Sequence, residues 1–308
     1  MSLAGAQDKL PEVLIEGHLA IPVNGTPSTH ILKSDTRRLP GSVQNEALCL
    51  VLASRIGHGA AKMTAGSAGN RSCLLMTRYD RVPRNGKWLR LHQEDFCQAL
   101  GKPPWAKYEH NQSDIKGSGL ADFSALARHH LPPADILRLR DAVILNILLT
   151  NVDAHAKNYS LLLLPSSARL APLYDVMYTS AWPDILRNLS QDVGGQNRAC
   201  YLAARHWRRM AKECGLNGIA LLHRIKGMAA KIPSEIEATA DAVRAMPAGD
   251  HPYLAEFIGA IKAQCLKTRD MLRQTGRDGS CLIRVPAIKN FGAPEKYDTL
   301  RQRINIIQ

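Results

Sequence analysis

A polar segment, VDAHAKN at 152–158, lies between two apolar runs of the sequence. It places Asp153, His155, Lys157 and Asn158 within six consecutive residues. Asp153 and Asn158 have the D-x-x-x-x-N spacing of protein-kinase catalytic loops, in which the aspartate accepts the substrate hydroxyl proton and the asparagine binds magnesium. Asp and Asn are also common turn residues, so the spacing alone is compatible with an ordinary turn.

Three further residues extend this pattern along the chain. Asp175 follows the second apolar run, where a kinase has its second metal ligand. Lys33 ends the apolar run THILK, as a phosphate-binding strand lysine does, and Glu46 follows on the next predicted helix. Each of these residues alone fits an unremarkable surface or turn position. Together with Asp153 and Asn158 they give the chain order Lys, Glu, Asp, Asn, Asp, which favours ATP- and Mg²⁺-dependent phosphoryl transfer.

The sequence contains neither a GxGxxG loop nor a GxxxxGK[ST] loop. The candidate for a phosphate-covering loop is SLAGAQDK at 2–9, where Gly5 lies between Ala4 and Ala6. Small side chains at these positions allow the backbone to approach phosphates closely. The loop leads into the predicted strand PEVLIEG, which is where such a loop is expected.

Composition narrows the class of protein. The chain has 308 residues, 45% of them hydrophobic, which fits a large globular domain or two lobes. Its apolar runs are far shorter than the roughly 20 residues that cross a bilayer, and the N-terminus lacks the pattern of a secretory signal. Seven cysteines without a CxxC pair predict reduced thiols in a cytosolic protein. The net charge of +13 favours acidic partners, although a solubilising surface has the same excess.

The sequence pattern changes from strand-rich to mostly helical near residue 90. Up to about residue 90, short apolar runs predict strands, interrupted by a helix at SVQNEALCLVLASRIG with Ser42 as its N-cap. From HQEDFCQALG onward most segments predict helices, except for a short hairpin at YSLLLL and RLAPLYDV. This pattern predicts an α+β fold of two lobes, and together with the ordered Lys, Glu, Asp, Asn and Asp residues it predicts a protein-kinase-like fold. A small β-rich N-lobe (1–90) joins a larger, mostly helical C-lobe (91–308) near TRYDRVPRNG.

Seven segments together resemble the HipA-like serine/threonine kinases, the toxins of bacterial toxin–antitoxin modules. The segments are SLAGAQDK, THILKSD, NEALCLVLA, TRYDR, RLHQEDFCQALG, VDAHAKN and LAPLYDV. The resemblance runs from Ser2 to about Trp207 and more loosely beyond. Larger members of this family carry an N-terminal subdomain before the SLAGAQ-like motif. This chain therefore resembles either the short members, in which that part is expected as a separate small protein, or a truncated reading frame.

The resemblance implies a role for each matching residue. Asp153 is expected as the catalytic base, and Asn158 and Asp175 as the magnesium ligands. Ser2 matches the serine that such kinases autophosphorylate, and a phosphate of charge near −2 in a phosphate-binding loop would inhibit the enzyme. The expected nucleotide-site residues are Ala4, Gly5, Ala6, Gln7, Asp8, Lys9, Lys33, Glu46, Thr77, Arg78, Tyr79, His155, Ala156, Lys157, Asn158, Tyr174 and Asp175.

The resemblance also implies partners. The expected substrate is an aminoacyl-tRNA synthetase or another translation protein, phosphorylated on a serine near the synthetase's ATP site. We expect an antitoxin partner, DNA contact only through that antitoxin, no membrane, and action in the bacterial cytosol or in a host cytosol after secretion.

Two other classes of function stay open. A metal-dependent hydrolase would use Asp153, His155 and Asp175 as ligands, although such sites usually contain more histidines. A non-catalytic protein would bind DNA or an antitoxin complex through the basic segments ARHWRRMAK and KTRDMLRQTGR. The first of these segments also fits a helix with Trp207 packed inward.

Overall fold

The computed structural model describes residues 9–36, 38–111 and 114–273. The strands are β1 (Lys9–Ile15), β2 (His18–Ala20), β3 (His30–Ser34), β4 (Met63–Ala68), β5 (Arg71–Thr77), β6 (Arg81–Arg84), β7 (Lys87–Arg90), β8 (His92–Asp95), β9 (Ser160–Leu164) and β10 (Ser167–Leu170). The α-helices are α1 (Ser42–Arg55), α2 (Phe96–Ala99), α3 (Leu120–His130), α4 (Pro133–Leu148), α5 (Ala204–Glu213), α6 (Gly218–Arg244) and α7 (Leu254–Arg273). The strand-rich part therefore precedes the helical part, as predicted.

The first five strands form one antiparallel sheet in the order β2-β1-β3-β5-β4. Lys9 of β1 lies directly opposite Lys33 of β3. Residues opposite each other on neighbouring strands point to the same face of a sheet, so both ammonium groups emerge side by side. Two like charges in this position destabilise the sheet unless carboxylates lie nearby, which makes this face the place to look for acidic residues.

Helix α1 packs between this sheet and the helical part of the chain. Ala47, Leu48 and Leu52 have no exposed surface, and they belong to one continuous core that extends into α4, α6 and α7. The prediction of Ser42 as the N-cap is wrong. The cap is Gly41, with φ of 73°, where a β-carbon would lie 3.0 Å from the His251 ring. Only glycine combines that backbone conformation with so little space.

The segment HQEDFCQALG, predicted as a helix, is divided between two elements. His92–Asp95 forms β8, which pairs with β9 in a second sheet of order β10-β9-β8. The short helix α2 follows, and the Asp95 side chain accepts a hydrogen bond from Gln98 N as its N-cap. Pairing with a strand more than 60 residues away decides the conformation, which a local pattern does not contain.

The predicted hairpin is confirmed as β9 and β10, which pair antiparallel, although only Arg169 and Leu170 of RLAPLYDV belong to β10. The joining segment TRYDRVPRNG contains the first strand and the turn of another hairpin, in which β6 pairs with β7. The two ends of this hairpin lie side by side, and Leu91 N donates to Asp80 O at 3.0 Å. The division into lobes at residue 90 remains a prediction. No helix in the described part of the chain is long and apolar enough to cross a membrane.

Candidate active site

Three predicted residues from distant parts of the chain meet at one point. Lys33 Nζ lies 2.6 Å from Glu46 Oε1 of α1. Lys33 also donates to Asp175 Oδ1, although 142 positions separate these two residues. The Lys33 and Glu46 side chains are only 4% and 3% exposed, whereas that of Asp175 is 26% exposed. The ion pairs therefore join the sheet, α1 and the loop after β10 in a largely buried cluster.

A second ammonium group completes this cluster. Lys9 Nζ lies 3.1 Å from Asp175 Oδ2, so Asp175 accepts from both members of the opposed lysine pair. Burial alone would raise the pKa of Asp175, but the charges of Lys33 and Lys9 outweigh it and hold that pKa well below its usual value. Burial likewise lowers the pKa of Lys33, and the carboxylates of Asp175 and Glu46 more than compensate. The charges of Lys33 and Asp175 are therefore fixed near neutral pH.

The loop that carries Asp175 is held in a strained conformation. Asp175 has φ of 52°, in the left-handed region that residues other than glycine seldom adopt. Asn45, which has no exposed surface, binds the same loop twice. Its amide donates to Tyr178 O at 3.0 Å and accepts from Tyr178 N at 2.8 Å. Helix α1 thus positions Glu46 directly and the Asp175 loop through the residue before it.

Asp153 lies in a loop that is more open. Its side chain is 56% exposed, with His155 Nε2 at 3.8 Å from Oδ1. The Tyr108 hydroxyl donates to the same oxygen. Asn158 Nδ2 donates to the backbone carbonyl of Asp153 at 2.8 Å, which fixes the D-x-x-x-x-N loop. Asp153 therefore has an exposed carboxylate on a backbone that is held in place.

His155 is buried under this carboxylate. Its side chain is 8% exposed, and burial lowers its pKa to about 4, with the Asp153 charge opposing the shift. Its Nδ1 has no hydrogen-bond partner in the described part of the chain, and the Tyr108 ring packs edge-on against it at 5.1 Å. His155 is thus a neutral packing residue of the loop at neutral pH.

Asn151 connects the two loops. Its Nδ2 donates to Asp175 O at 3.2 Å and to Asn146 Oδ1 at 2.9 Å, and its Oδ1 accepts from Asp153 N at 3.3 Å. Thr150, just before it, has φ of 46°, an uncommon conformation for a β-branched residue. This strained turn ends α4 and directs the buried Asn151 toward both candidate catalytic aspartates.

A model of the HipA-like C-terminal domain family matches residues 1–239, well over half of the chain. The chain belongs to the HipA-like C-terminal domain family.

Relatives within and around this family agree with the assignment. A Sinorhizobium fredii protein named "Putative kinase Y4mE" is 42% identical over 79% of this chain and 56% of its own length. A Shewanella oneidensis protein named serine/threonine-protein kinase toxin HipA is 29% identical over 86% of this chain and 62% of its own length. The chain thus spans between half and two thirds of the length of these relatives.

Solved structures agree on the fold. The Shewanella oneidensis HipA structure, a complex with HipB and operator DNA, superposes with a TM-score of 0.80 at 26% identity, covering 90% of this chain and 68% of that one. The Helicobacter pylori kinase CtkA superposes with a TM-score of 0.60 at 14% identity, over 88% of this chain and 92% of that one. The α+β, kinase-like architecture of this HipA-like chain is therefore shown.

The expected nucleotide side of this HipA-like site lies between β5 and β9. The Tyr79 and Tyr174 rings are 5.9 Å apart, and the Tyr174 hydroxyl donates to Lys157 O at 2.8 Å. Lys157 Nζ contacts Asp95 Oδ2 at 2.7 Å. Ala156 is fully buried, and its amide donates to Lys107 O at 3.0 Å. These residues form a connected wall, in which Lys157 is held by an ion pair.

Thr77 and Arg78, also expected at the nucleotide site, are hydrogen-bonded to other parts of the chain. The backbone N–H of Thr77 donates to Lys62 O at 2.8 Å, and that of Arg78 donates to Thr29 O at 2.9 Å. The buried Arg78 guanidinium forms two hydrogen bonds with Asp80, at 3.0 and 2.7 Å. Both N–H groups therefore already have partners, and the Arg78 side chain stabilises the turn that follows β5.

Five expected site residues of the covering loop and the expected autophosphorylation site lie outside the described residues. These are Ala4, Gly5, Ala6, Gln7, Asp8 and Ser2.

The residues that the sequence reasoning missed are mostly buried amides. Asn45, Asn146 and Asn151 hold the two loops, yet they lie in or beside apolar helical runs. An asparagine inside such a run needs hydrogen-bond partners when buried, which is the signal that would have singled them out. Tyr108 gave no such signal, because only the tertiary fold brings it to Asp153.

The hydrolase alternative receives no support from this geometry. The Asp175 carboxylate faces Lys33 and Lys9. Within the described residues, the three metal-ligand side chains that lie within 4.8 Å of one another are Glu109, His110 and Asp192, a different set.

Proposed function

We propose that this chain is an ATP- and Mg²⁺-dependent serine/threonine protein kinase that acts as the toxin of a HipA-like toxin–antitoxin module. The observation that carries the proposal is the meeting of Lys33, Glu46 and Asp175 in one cluster. Asn151 joins this cluster to the Asp153 loop. Phosphoryl transfer needs a phosphate-binding cation, metal ligands and a base around one cleft, and this arrangement supplies all three.

Asp175 and Asn158 are the residues that would hold magnesium. Both oxygens of the Asp175 carboxylate are paired with ammonium groups, so Mg²⁺ would have to take the place of Lys9 or Lys33 there. The Asn158 amide nitrogen is bound to Asp153 O, and its oxygen accepts no hydrogen bond from the described residues. Carboxylate and amide oxygens are ligands that Mg²⁺ prefers. A bound Mg²⁺ would neutralise phosphate charge, and Glu46 helps to keep Lys33 charged and fixed in position, from which it would contact the phosphates.

Asp153 is the proposed base. Its exposed carboxylate is accessible to the hydroxyl of a serine on another protein. The Tyr108 hydroxyl donates to the oxygen that would accept the proton, so a substrate hydroxyl must replace or join this donor. The bond from Asn158 to the Asp153 carbonyl keeps the base and the metal ligand at a constant separation.

A phosphotransfer assay with purified variants tests the activity. With ATP, Mg²⁺ and a generic protein substrate, wild-type protein should transfer phosphate to serine. Asp153→Asn and Asp175→Asn should each lose transfer by at least about 10³-fold, because each removes a group acting at the reacting centre. Asp184→Asn, a change of the same kind at an exposed aspartate, is the matched control and should keep full activity. Undiminished transfer by folded Asp153→Asn would reject the assignment of the base.

The proposed substrate is an aminoacyl-tRNA synthetase, phosphorylated on a serine near its ATP site, which would slow tRNA charging and growth in the bacterial cytosol or in a host cytosol. The net charge of +13 supports acidic or tRNA-bound targets. Phosphoproteomics after induction, with Asp153→Asn as the inactive reference, should reveal synthetase phosphoserines that appear only with the wild type. Enrichment of other proteins alone would reject this substrate class.

Autophosphorylation of Ser2 is proposed as the switch that turns the kinase off. Mass spectrometry should find phosphate on Ser2 in the wild type and none in Asp153→Asn. Ser2→Ala should remain active after prolonged incubation with ATP, whereas wild-type activity should decline. Phosphate at another serine, with a decline that Ser2→Ala also shows, would contradict this role.

A protein partner is proposed at the exposed edge of the first sheet. Large apolar side chains there are strongly exposed, namely Leu14 44%, Ile15 53%, Leu19 42%, Ile21 78% and Val23 63%. A patch of this kind usually marks an interaction surface. It supports binding of an antitoxin or of a separate small protein resembling the N-terminal subdomain, with DNA bound only indirectly. Ile21→Glu should weaken such a complex in size-exclusion chromatography, whereas Leu186→Glu, at a distant exposed leucine, should not.

A further inference from the structure

The helical part of the chain contains a partly enclosed cavity between α3, α4 and α5. Its volume is about 180 Å³, and most of its lining is apolar. The side chains that matter here are Phe123, Ala127, Leu139, Val143, Met210 and Leu216. The cavity lies away from the Lys33 and Asp153 residues, and the site described above makes no use of it.

The volume limits what the cavity can accept. An apolar protein cavity of about 150 Å³ stays dry and binds benzene. A space of 180 Å³ with apolar walls therefore suits one aromatic ring or a body of similar size. Larger cofactors need several hundred Å³.

Arginines at the cavity's edge indicate the charge of the ligand. Arg128 and Arg140 both line it. Arg140 shares the Asp141 carboxylate with Arg224, so two guanidinium groups face one carboxylate. Arg128 donates to Cys214 O at 2.5 Å and has no carboxylate partner in the described part of the chain. The edge therefore has an excess of positive charge beside an apolar interior, which is complementary to an anion with an apolar body.

We propose that this cavity is a second ligand site, which binds a small monocarboxylate with a ring-sized apolar body. The apolar body fills the space beside Phe123 and Val143, and the carboxylate faces Arg128.

A continuous series of contacts leads from the cavity to the candidate active site. Phe123, in the cavity wall, packs on the Tyr159 ring at 5.3 Å. The Tyr159 hydroxyl accepts from Asn146 Nδ2 at 3.1 Å, and Asn146 Oδ1 accepts from Asn151. Asn151 in turn donates to Asp175 O. A ligand that restrains Phe123 therefore also restrains the turn at Asn151, and this regulatory role rests on the proposed kinase function.

Calorimetric titration with two probes tests the ligand site. Phenylacetate and its neutral isostere phenylacetamide fill the same volume, so only the charge differs. Phenylacetate should bind about tenfold more tightly, as one charge-assisted contact provides. Arg128→Gln should abolish this difference, whereas Arg244→Gln, at an arginine remote from the cavity, should retain it. Absence of phenylacetate binding at millimolar concentration, or equal binding of both probes by the wild type, would overturn the proposal.

Filling the cavity gives a second, independent variant. Ala127→Leu adds a side chain inside the space and should abolish binding of both probes. Undiminished binding by Ala127→Leu would mean that the probes bind elsewhere and would reject the site. Should Ala127→Leu fail to fold, the Arg128→Gln titration alone decides, because Arg128 is exposed and its replacement leaves the core unchanged.

Hydrogen exchange tests the connection to the active site without an activity assay. The Asn151 amide, which donates to Asn146 O at 2.8 Å, should exchange about threefold more slowly with phenylacetate bound. Amides of α7 should not change. Binding without this protection would reject the regulatory role. The catalytically inactive Asp153→Asn variant should bind phenylacetate normally, so a failure of the kinase proposal is distinguishable from a failure of this site.

Discussion

Two regions of the candidate active site are built on opposite principles. The Lys33, Glu46 and Asp175 cluster is largely buried, and its charges are set by ion pairs among three separate elements. The Asp153 carboxylate is more than half exposed on a loop whose backbone is fixed by Asn151 and Asn158. Under the proposed kinase function, the first region would hold the constant nucleotide and the second would receive the side chain of a protein substrate.

Substitutions in the buried cluster should therefore lower the free energy of unfolding far more than substitutions of the exposed Asp153. Lys33→Met leaves the buried Glu46 carboxylate without its ion-pair partner and Asp175 with Lys9 alone, so the free energy of unfolding should fall by about 4 kcal/mol. Asp153→Asn should change it by no more than about 0.5 kcal/mol, as is usual for exposed positions. Urea unfolding followed by circular dichroism measures both values. Equal losses in the two variants would show that the regions do not differ in this way.

The buried imidazole beside Asp153 makes the open loop sensitive to mild acid, between pH 6.5 and 4. The folded-state pKa of His155 is about 4, below its usual value of 6.5, so the unfolded chain binds more protons between these values. Stability should therefore fall as the pH falls from 6.5 to 4, by up to about 3 kcal/mol from this residue. His155→Gln should flatten the pH dependence, and His92→Gln, at a 71% exposed histidine, should not. A wild-type slope in His155→Gln would contradict the role of burial.

The next largest effect concerns the link between α1 and the Asp175 loop. Asn45→Ala removes two hydrogen bonds and leaves both polar groups of the Tyr178 backbone without them. We expect a loss of about 2 kcal/mol in the free energy of unfolding, together with weaker Mg²⁺ dependence of ATP binding. Asn188→Ala, at an exposed asparagine, is the control for chemical denaturation. A stability loss without any change in Mg²⁺ dependence would show that Asn45 does not position Asp175.

The smallest effect tests the strain before Asn151. Thr150 has φ of 46°, where a glycine avoids the steric conflict of a β-branched side chain. Thr150→Gly should raise the thermal unfolding free energy by up to about 1 kcal/mol, while lowering phosphotransfer because the loop becomes less restrained. Thr26→Gly, at an exposed residue outside that backbone region, should lower stability slightly instead. A loss of stability in Thr150→Gly would exclude strain at this turn.

The candidate site residues that could be predicted from the sequence are those whose type, spacing and order match a known kind of site. The order of Lys33, Glu46, Asp153, Asn158 and Asp175 predicted one site, and the structure brings Lys33, Glu46 and Asp175 into contact. The roles assigned to these residues remain predictions. The succession of a strand-rich first part and a mostly helical second part also predicted the fold class that the structural relatives show.

The features that escaped prediction depend on distant parts of the chain. Tyr108 reaches Asp153 only through the fold, and β8 becomes a strand only because β9 lies beside it. The N-cap is Gly41 instead of Ser42, and the left-handed backbone and the close His251 ring that favour glycine at position 41 exist only in the folded chain. Each of these features depends on contacts with distant residues, which local sequence propensity does not predict.

The position of α1 has a mechanical consequence. This helix belongs to the core shared with α6 and α7 and is bound to Tyr178, so it is anchored to the helical part of the molecule. Lys33 belongs to the sheet, whereas its partners Glu46 and Asp175 belong to α1 and to the loop after β10. Any rocking of the sheet away from the helical part must therefore separate the ammonium groups of Lys9 and Lys33 from the carboxylates of Glu46 and Asp175, so these ion pairs resist that motion.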